Sequence, residues 1–486
     1  MAVSSTRWKR RTAAAAAATA VLAACTGPAE EVEAPTTTGP APVRDGAGLA
    51  EAREDAAADD AHRSLDCRAS LQRAVEEAVA TEPVAVGEDA APSPVSARTV
   101  GAFLGSVGVN THMTYTDTPY ADHDAVLEVL DATGIRHIRD GLIPGREDEQ
   151  VEFLHRLEAQ GGCAQLIVGG DRVELGQVDD AVGVLESVPG VVTGVEGPNE
   201  LDLSDLPDWA DLAVAQQTLL HDSLLADVRL RGLPLAGPSV GRPDAFSELG
   251  DLSALLDLSN LHPYPGGRAP EGAVAPHRRA GEAAAADAPV VVTETGYHDA
   301  VVDDASQPGV PEDVEAVYLP RLLLDSFARG VTRTYLYELV DEFPDDDDDQ
   351  ASFGLYRRDW TPKPAAGSVQ RLLDLLGSRP STETRDLAVA VRSGEADDLR
   401  TLLLNDDEGF WLALWREVPV YEERDRRRLE VEALPVEVVL QDEADLAVHQ
   451  PVDGVEPVRT AVDVRALDVE VAGEPVLVRI ESSAQE

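Results

Sequence analysis

Two glutamates stand where short apolar runs end. Glu200 closes Val195-Glu196-Gly197-Pro198-Asn199-Glu200, and Glu294 closes Val290-Val291-Val292-Thr293-Glu294, ahead of Thr295-Gly296-Tyr297. Paired carboxyls suit cleavage of a glycosidic bond, because the leaving oxygen needs a proton while the anomeric carbon needs a nucleophile or an activated water. Carboxyls about 5–5.5 Å apart favour direct attack and retention, whereas about 6.5–9.5 Å leaves room for water and gives inversion. Spacing along the chain supplies the two candidates and leaves that gap open.

Such residues need a frame that brings distant strand ends together. From about Thr99 onward, apolar runs at 103–109, 135–138, 164–168, 191–195, 235–236, 258–261, 290–293 and 334–337 alternate with amphipathic stretches at 124–133, 147–160, 209–231 and 311–329. Short, continuous, β-branched runs read as strands buried on both faces. Eight of them separated by helices predict a (β/α)₈ barrel over residues 98–377, whose strand C-termini open onto one face. Glu200 after the fourth strand and Glu294 after the seventh would converge there. Glu196 would point inward as a satisfied buried acid. No Gly-x-Gly-x-x-Gly turn follows the first strand, which argues against dinucleotide binding. Ser239 lacks a Gly-x-Ser-x-Gly elbow. From 381 to 486 the helices stop, and runs at 387–391, 401–404, 410–415, 436–440, 460–464 and 476–480 predict a small antiparallel β-sandwich. Trp411 and Trp415 alternate with Leu412 and Leu414, which suits core packing better than an exposed sugar platform.

Asn199-Glu200 after strand four with Glu294 after strand seven resembles the signature of glycoside hydrolase clan A, whose barrels are retaining enzymes. The resemblance spans about residues 100–376. It implies Glu200 as general acid/base, Glu294 as nucleophile, and Asn199 as a partner of the sugar 2-hydroxyl. Asn110-Thr111-His112 after strand one, Arg139-Asp140 after strand two and His262-Pro263-Tyr264 after strand six match it further, as do Phe353-Gly354-Leu355 and Thr361-Pro362-Lys363-Pro364 after strand eight. By the same analogy Arg139 would hold Glu294 ionised, Tyr264 would donate to it, and Asn110, His112 and His262 would line the sugar subsite. Where many members carry a tryptophan, this chain has Tyr335-Leu336-Tyr337-Glu338, so Tyr337 becomes the candidate platform. The expected partner is a carbohydrate, with no metal or cofactor required. A glycan-binding protein without turnover and a transglycosidase using the same pair are the alternatives, separable by product analysis.

Composition narrows the partners. The 486 residues carry 90 acidic against 40 basic side chains, a formal net charge of −50, which repels nucleic acid and anionic headgroups. Aromatic residues make up 4%, with five tryptophans, fewer than a long polysaccharide cleft uses; short or unusual glycans are the expectation. His112, His123 and His262 do not form a zinc spacing. The acidic run at 345–349 reads as a solvated loop rather than a calcium site.

The first residues address the chain. Arg7, Lys9, Arg10 and Arg11 precede an apolar run at 13–24 that is too short to span a bilayer. It ends in Leu22-Ala23-Ala24-Cys25, which resembles the lipobox of bacterial lipoproteins and implies a signal over 1–24, acylation of Cys25 and anchoring at the outer face of the cytoplasmic membrane. Residues 25–97 read as an acidic, Pro-rich tether holding one helix near 65–80. Cys67 and Cys163 remain after processing, either as a disulfide or as two buried thiols.

Overall fold

The computed structural model describes residues 67–77, 82–142, 147–170, 173–302, 307–344, 349–377, 381, 383–394 and 397–482. The leader, Cys25, the first part of the tether and residues 345–348 lie outside the described residues. Eight parallel strands form the barrel: β1 (Val107–Asn110), β2 (His137–Gly141), β3 (Cys163–Ile167), β4 (Val192–Glu196), β5 (Leu235–Ala236), β6 (Ser259–Leu261), β7 (Val290–Thr295) and β8 (Val331–Leu336). They are ordered β5-β4-β3-β2-β1-β8-β7-β6, and a parallel bridge between Ala236 and Leu258 joins the two ends. The chain is a (β/α)₈ barrel followed by an antiparallel β domain.

Helices α1 (Cys67–Glu77), α2 (Val100–Gly105), α3 (His123–Thr133), α4 (Glu147–Ala159), α5 (Leu175–Leu185), α6 (Trp209–Ala226), α7 (Phe246–Leu249), α8 (Val274–Gly281), α9 (Glu312–Ala328) and α10 (Pro364–Gly377) accompany the strands. Local chemistry sets their ends. The Asp122 side chain accepts from Ala125 N to start α3, and Gly134, at φ 75°, receives the chain in the left-handed region that ends it. The run at 103–109, expected to be one strand, divides instead. The Thr99 hydroxyl accepts from Ala102 N and starts α2, Phe103 packs edge-on against Phe327, and β1 begins only at Val107.

The helix expected near 65–80 has a definite place. It lies across the N-terminal ends of the strands, where Thr193 donates to the Cys67 carbonyl at 2.7 Å and Arg333 Nη2 to Ser70 Oγ at 3.1 Å. Leu71 packs against Ala236, Leu258, Val291 and Tyr335. Cys67 and Cys163 are joined as a disulfide, with Cα atoms 5.5 Å apart, which bolts α1 to the first residue of β3. A bridge between residues 96 apart restricts the unfolded chain by about 4–5 kcal/mol on loop-closure grounds. Reduction, or Cys67→Ser, is therefore expected to lower the denaturation midpoint by a corresponding amount; an unchanged midpoint under reducing conditions would contradict this assignment.

The β domain comprises β9 (Asp386–Arg392), β10 (Leu399–Asn405), β11 (Gly409–Arg416), β12 (Leu434–His449), β13 (Arg459–Val471) and β14 (Val476–Ser482). The long β12 pairs with β9 through its first half and with β14 through its second, with a register shift between Val439 and Ala444. It thus runs through both layers, as corner strands of sandwiches do. Val389, Val391, Val436 and Val438 from one layer and Leu403, Leu412, Leu414 and Val478 from the other share one core. The segment read as tether supplies one strand, Ser93–Ser96, which pairs with β9, and Arg98–Thr99, at the start of the expected barrel, pairs with β10. The barrel is therefore embraced by chain from both of its sequence ends. Alternation along β11 turns Leu412 and Leu414 to the sandwich core and Trp411, Ala413 and Trp415 to the barrel cluster. Arg321 on α9 reinforces the junction through the Val418 and Gly473 carbonyls. The tryptophans are packing residues. Among the described residues no helix is long and apolar enough to cross a membrane.

Candidate active site

The C-terminal strand ends converge as the barrel requires. One oxygen each of Glu200 and Glu294 and one nitrogen of His262 all lie within 4.8 Å of one another. Their side chains are 20% and 10% exposed for Glu200 and Glu294, so both are mostly buried yet keep some access to solvent. Glu200 adopts φ 44°, a left-handed conformation unfavourable for a side-chain-bearing residue. The surrounding turn holds it there: Glu200 N donates to Ser239 Oγ at 3.3 Å, and Ser239 donates to Asn199 Oδ1 at 2.9 Å. Gly296 serves the other half, since a Cβ there would stand 2.6 Å from the Tyr337 carbonyl oxygen.

Arg139 organises the centre. Its guanidinium donates to Glu294 Oε1 at 2.5 Å, to both oxygens of Glu196 at 2.8 and 2.6 Å, to Asn199 Oδ1 at 2.7 Å and to Asn110 Oδ1 at 2.9 Å. Glu196 is the satisfied interior acid that the alternation predicted. Tyr264 donates its hydroxyl to Glu294 Oε2 at 3.0 Å. Burial opposes the charge on Glu294, yet His262, Arg139 and the Tyr264 hydroxyl outweigh it and hold the carboxyl down at about 2.

His262 sits at the expected strand end, but protein groups engage both of its nitrogens. Nδ1 lies 2.8 Å from Glu200 Oε1 and Nε2 lies 2.9 Å from Thr293 Oγ1, so neither nitrogen is left for a sugar. Thr293 donates to Asn260 Oδ1 at 2.6 Å, which leaves its lone pair to accept from His262 Nε2–H. With Nε2 committed as a donor, Nδ1 is left facing Glu200 Oε1 at hydrogen-bond distance. Burial lowers the His262 pKa, but Glu294 and Glu200 act the other way and the net shift is upward. Asn110 is likewise structural: it is buried, and its Nδ2 donates to the Thr293 and Leu336 carbonyls.

Asn199 Oδ1 accepts from Arg139 and from Ser239, while Nδ2 has no protein partner among the described residues. Tyr337 lies partly exposed among His112, Tyr264 and Phe353, with centroids at 5.7, 6.5 and 5.4 Å. His112 is 21% exposed and its Nδ1 lies 2.5 Å from Glu342 Oε1. Glu342, Glu338 and Tyr120 around it escaped the sequence reading, since nothing in their spacing links them to His112.

Buried carboxyls across the molecule give the fold a pH signature. Burial pushes Asp140, Asp325 and Asp341 up to about 6, Glu271 to about 7 and Glu338 to about 8. Between about pH 4 and 8 these carboxyls bind more protons in the folded than in the unfolded chain, and they outnumber the buried histidines His137, His277 and His298 that act the other way. Stability therefore falls as pH rises through that window. Glu294 acts oppositely, and only below pH 4.5. Thermal unfolding is expected to show a higher midpoint at pH 5 than at pH 8; a midpoint that climbs over that interval would contradict the assignment.

Comparison with solved structures places the fold. The chain is similar to a family 39 glycoside hydrolase from Bacteroides cellulosilyticus WH2, at TM-score 0.55 and 15% identity, over 77% of this chain and 81% of that one. It is similar also to a glucosidase from Croceicoccus marinus, at TM-score 0.54 and 11% identity, over 83% of this chain and 98% of that one. The fold is shared with glycoside hydrolases. No protein-family profile matches the sequence, and no curated protein matches it.

Proposed function

We propose that this chain is a retaining glycoside hydrolase in which Glu294 is the nucleophile and Glu200 the general acid/base. The observation that carries the reading is the gap between the two carboxylates, with oxygens inside 4.8 Å. So close an approach of one oxygen from each carboxyl supports direct attack, for which the two groups stand about 5–5.5 Å apart. Electrostatics assign the roles. Glu294, pressed by Arg139 and Tyr264, is the ionised member that attacks the anomeric carbon. Glu200 shares a proton with His262 and passes it to the leaving oxygen. After departure the Glu200–His262 pair accepts a proton from the incoming water, and the sugar leaves Glu294 with its original configuration. Asn199 Nδ2 serves the sugar 2-hydroxyl, and Tyr337 offers a face to the ring.

Export and lipid anchoring through Cys25 belong to the same reading. The disulfide supports an oxidising compartment, and the leader composition supports the anchor. A panel of aryl glycosides and short glycans tests the activity: release of a sugar by the wild-type chain supports it. Binding without release across the panel would count for the non-catalytic alternative, and products longer than the substrate for transfer.

A further inference from the structure

We propose that His112, Glu338 and Glu342 form a binding site for a divalent transition-metal ion beside the catalytic pocket. The three residues come from the loops after β1 and β8, and one ligating atom from each lies within 4.8 Å of the others. His112 Nδ1 lies 2.5 Å from Glu342 Oε1 and 3.3 Å from Glu338 Oε2. Two carboxylates, 0% and 3% exposed, therefore depend on a single imidazole.

Three observations make this more than an ion pair. No arginine or lysine pairs with either carboxylate among the described residues, so His112 is the cationic partner that the two share. Glu338 Oε1 is buried without a hydrogen-bond partner, a costly arrangement unless something occupies the space beside it. Tyr120 donates to Glu338 Oε2 at 3.0 Å, the kind of outer contact that fixes a ligating carboxylate. The neighbouring trio of Glu200, His262 and Glu294 is equally tight, but Arg139 already neutralises Glu294 and both His262 nitrogens are engaged.

One imidazole nitrogen and two carboxylate oxygens suit Zn²⁺ or Mn²⁺ better than Ca²⁺ or Mg²⁺, which favour all-oxygen sets. The ion takes the place of the proton now shared around His112 Nδ1. Three protein ligands would leave coordination positions open for water. The site stands whether or not Glu200 and Glu294 cleave anything.

The test is calorimetric titration of chelator-treated full-length protein with Zn²⁺ and Mn²⁺, alongside Glu342→Gln and Glu338→Gln, with circular dichroism as the check on folding. The expected result is one saturable site per chain, weakened at least tenfold in each variant. The metal should also raise the unfolding midpoint of the wild type more than that of the variants. Absence of a saturable site would overturn the proposal. So would weak binding at many surface acids that both variants leave unchanged.

Discussion

Glu294→Gln is expected to abolish turnover, by on the order of 10⁴–10⁶-fold, the scale on which covalent nucleophiles act. The amide keeps the shape and much of the hydrogen bonding of the carboxylate but cannot form the glycosyl ester. Folding should survive, because Glu294 lies at a strand end that remains 8% exposed, and the amide oxygen can accept from Arg139 while its NH₂ donates to the Tyr264 hydroxyl. A smaller replacement sharpens the test. Glu294→Gly opens space for azide, which should restore turnover of an activated aryl glycoside and give a glycosyl azide of inverted configuration. Glu200→Ala with azide should instead give the retained azide, since attack then falls on the ester at Glu294. Equal activity of wild type and Glu294→Gln would remove Glu294 from the chemistry.

Arg139→Met is expected to damage both stability and chemistry. The guanidinium serves four side chains, and two of them are the buried carboxylates Glu196 and Glu294. Removing one partner of a buried ion pair strands the other charge at a cost of about 3–5 kcal/mol. Any folded fraction should also lose turnover by about a hundredfold or more, as when one preorganised donor is deleted from an active site. The pH profile separates the two effects. In the wild type Glu294 stays ionised down to about pH 2, so it sets no acid limb in the working range. Without Arg139 its carboxyl rises, and rate should fall as pH drops through the ordinary carboxylate range and above. Arg139→Lys should restore part of the stability, but a single ammonium cannot span all four partners. An unchanged acid limb in a folded Arg139 variant would show that Arg139 does not control the charge of Glu294.

The placement of Glu200 and Glu294 at one end of the barrel was legible because each follows an apolar run that reads as a barrel strand. A strand C-terminus fixes where a side chain goes almost irrespective of its neighbours. Arg139 and Tyr264 were legible for the same reason, and both reach Glu294. What periodicity does not encode is which polar group behind the strand ends takes which hydrogen bond. Asn110 and His262 sit at the expected strand ends, yet the carbonyls of Thr293 and Leu336 claim the first, and Glu200 with the Thr293 hydroxyl claims the second. Long-range pairing was equally hidden. His112 meets Glu342 across 230 residues, and Cys67 meets Cys163 across 96. The strand at Ser93–Ser96 looked like tether because its burial pattern leaves only Val95 covered, too weak an alternation to separate from coil.

The most direct test of the central claim is the anomeric configuration of the first product, followed by ¹H NMR during hydrolysis of whichever glycoside the panel identifies. A Glu200–Glu294 gap this short predicts that the first anomer formed matches the substrate and equilibrates only later by mutarotation. First appearance of the opposite anomer would mean that water attacks directly, and would contradict Glu294 as the nucleophile.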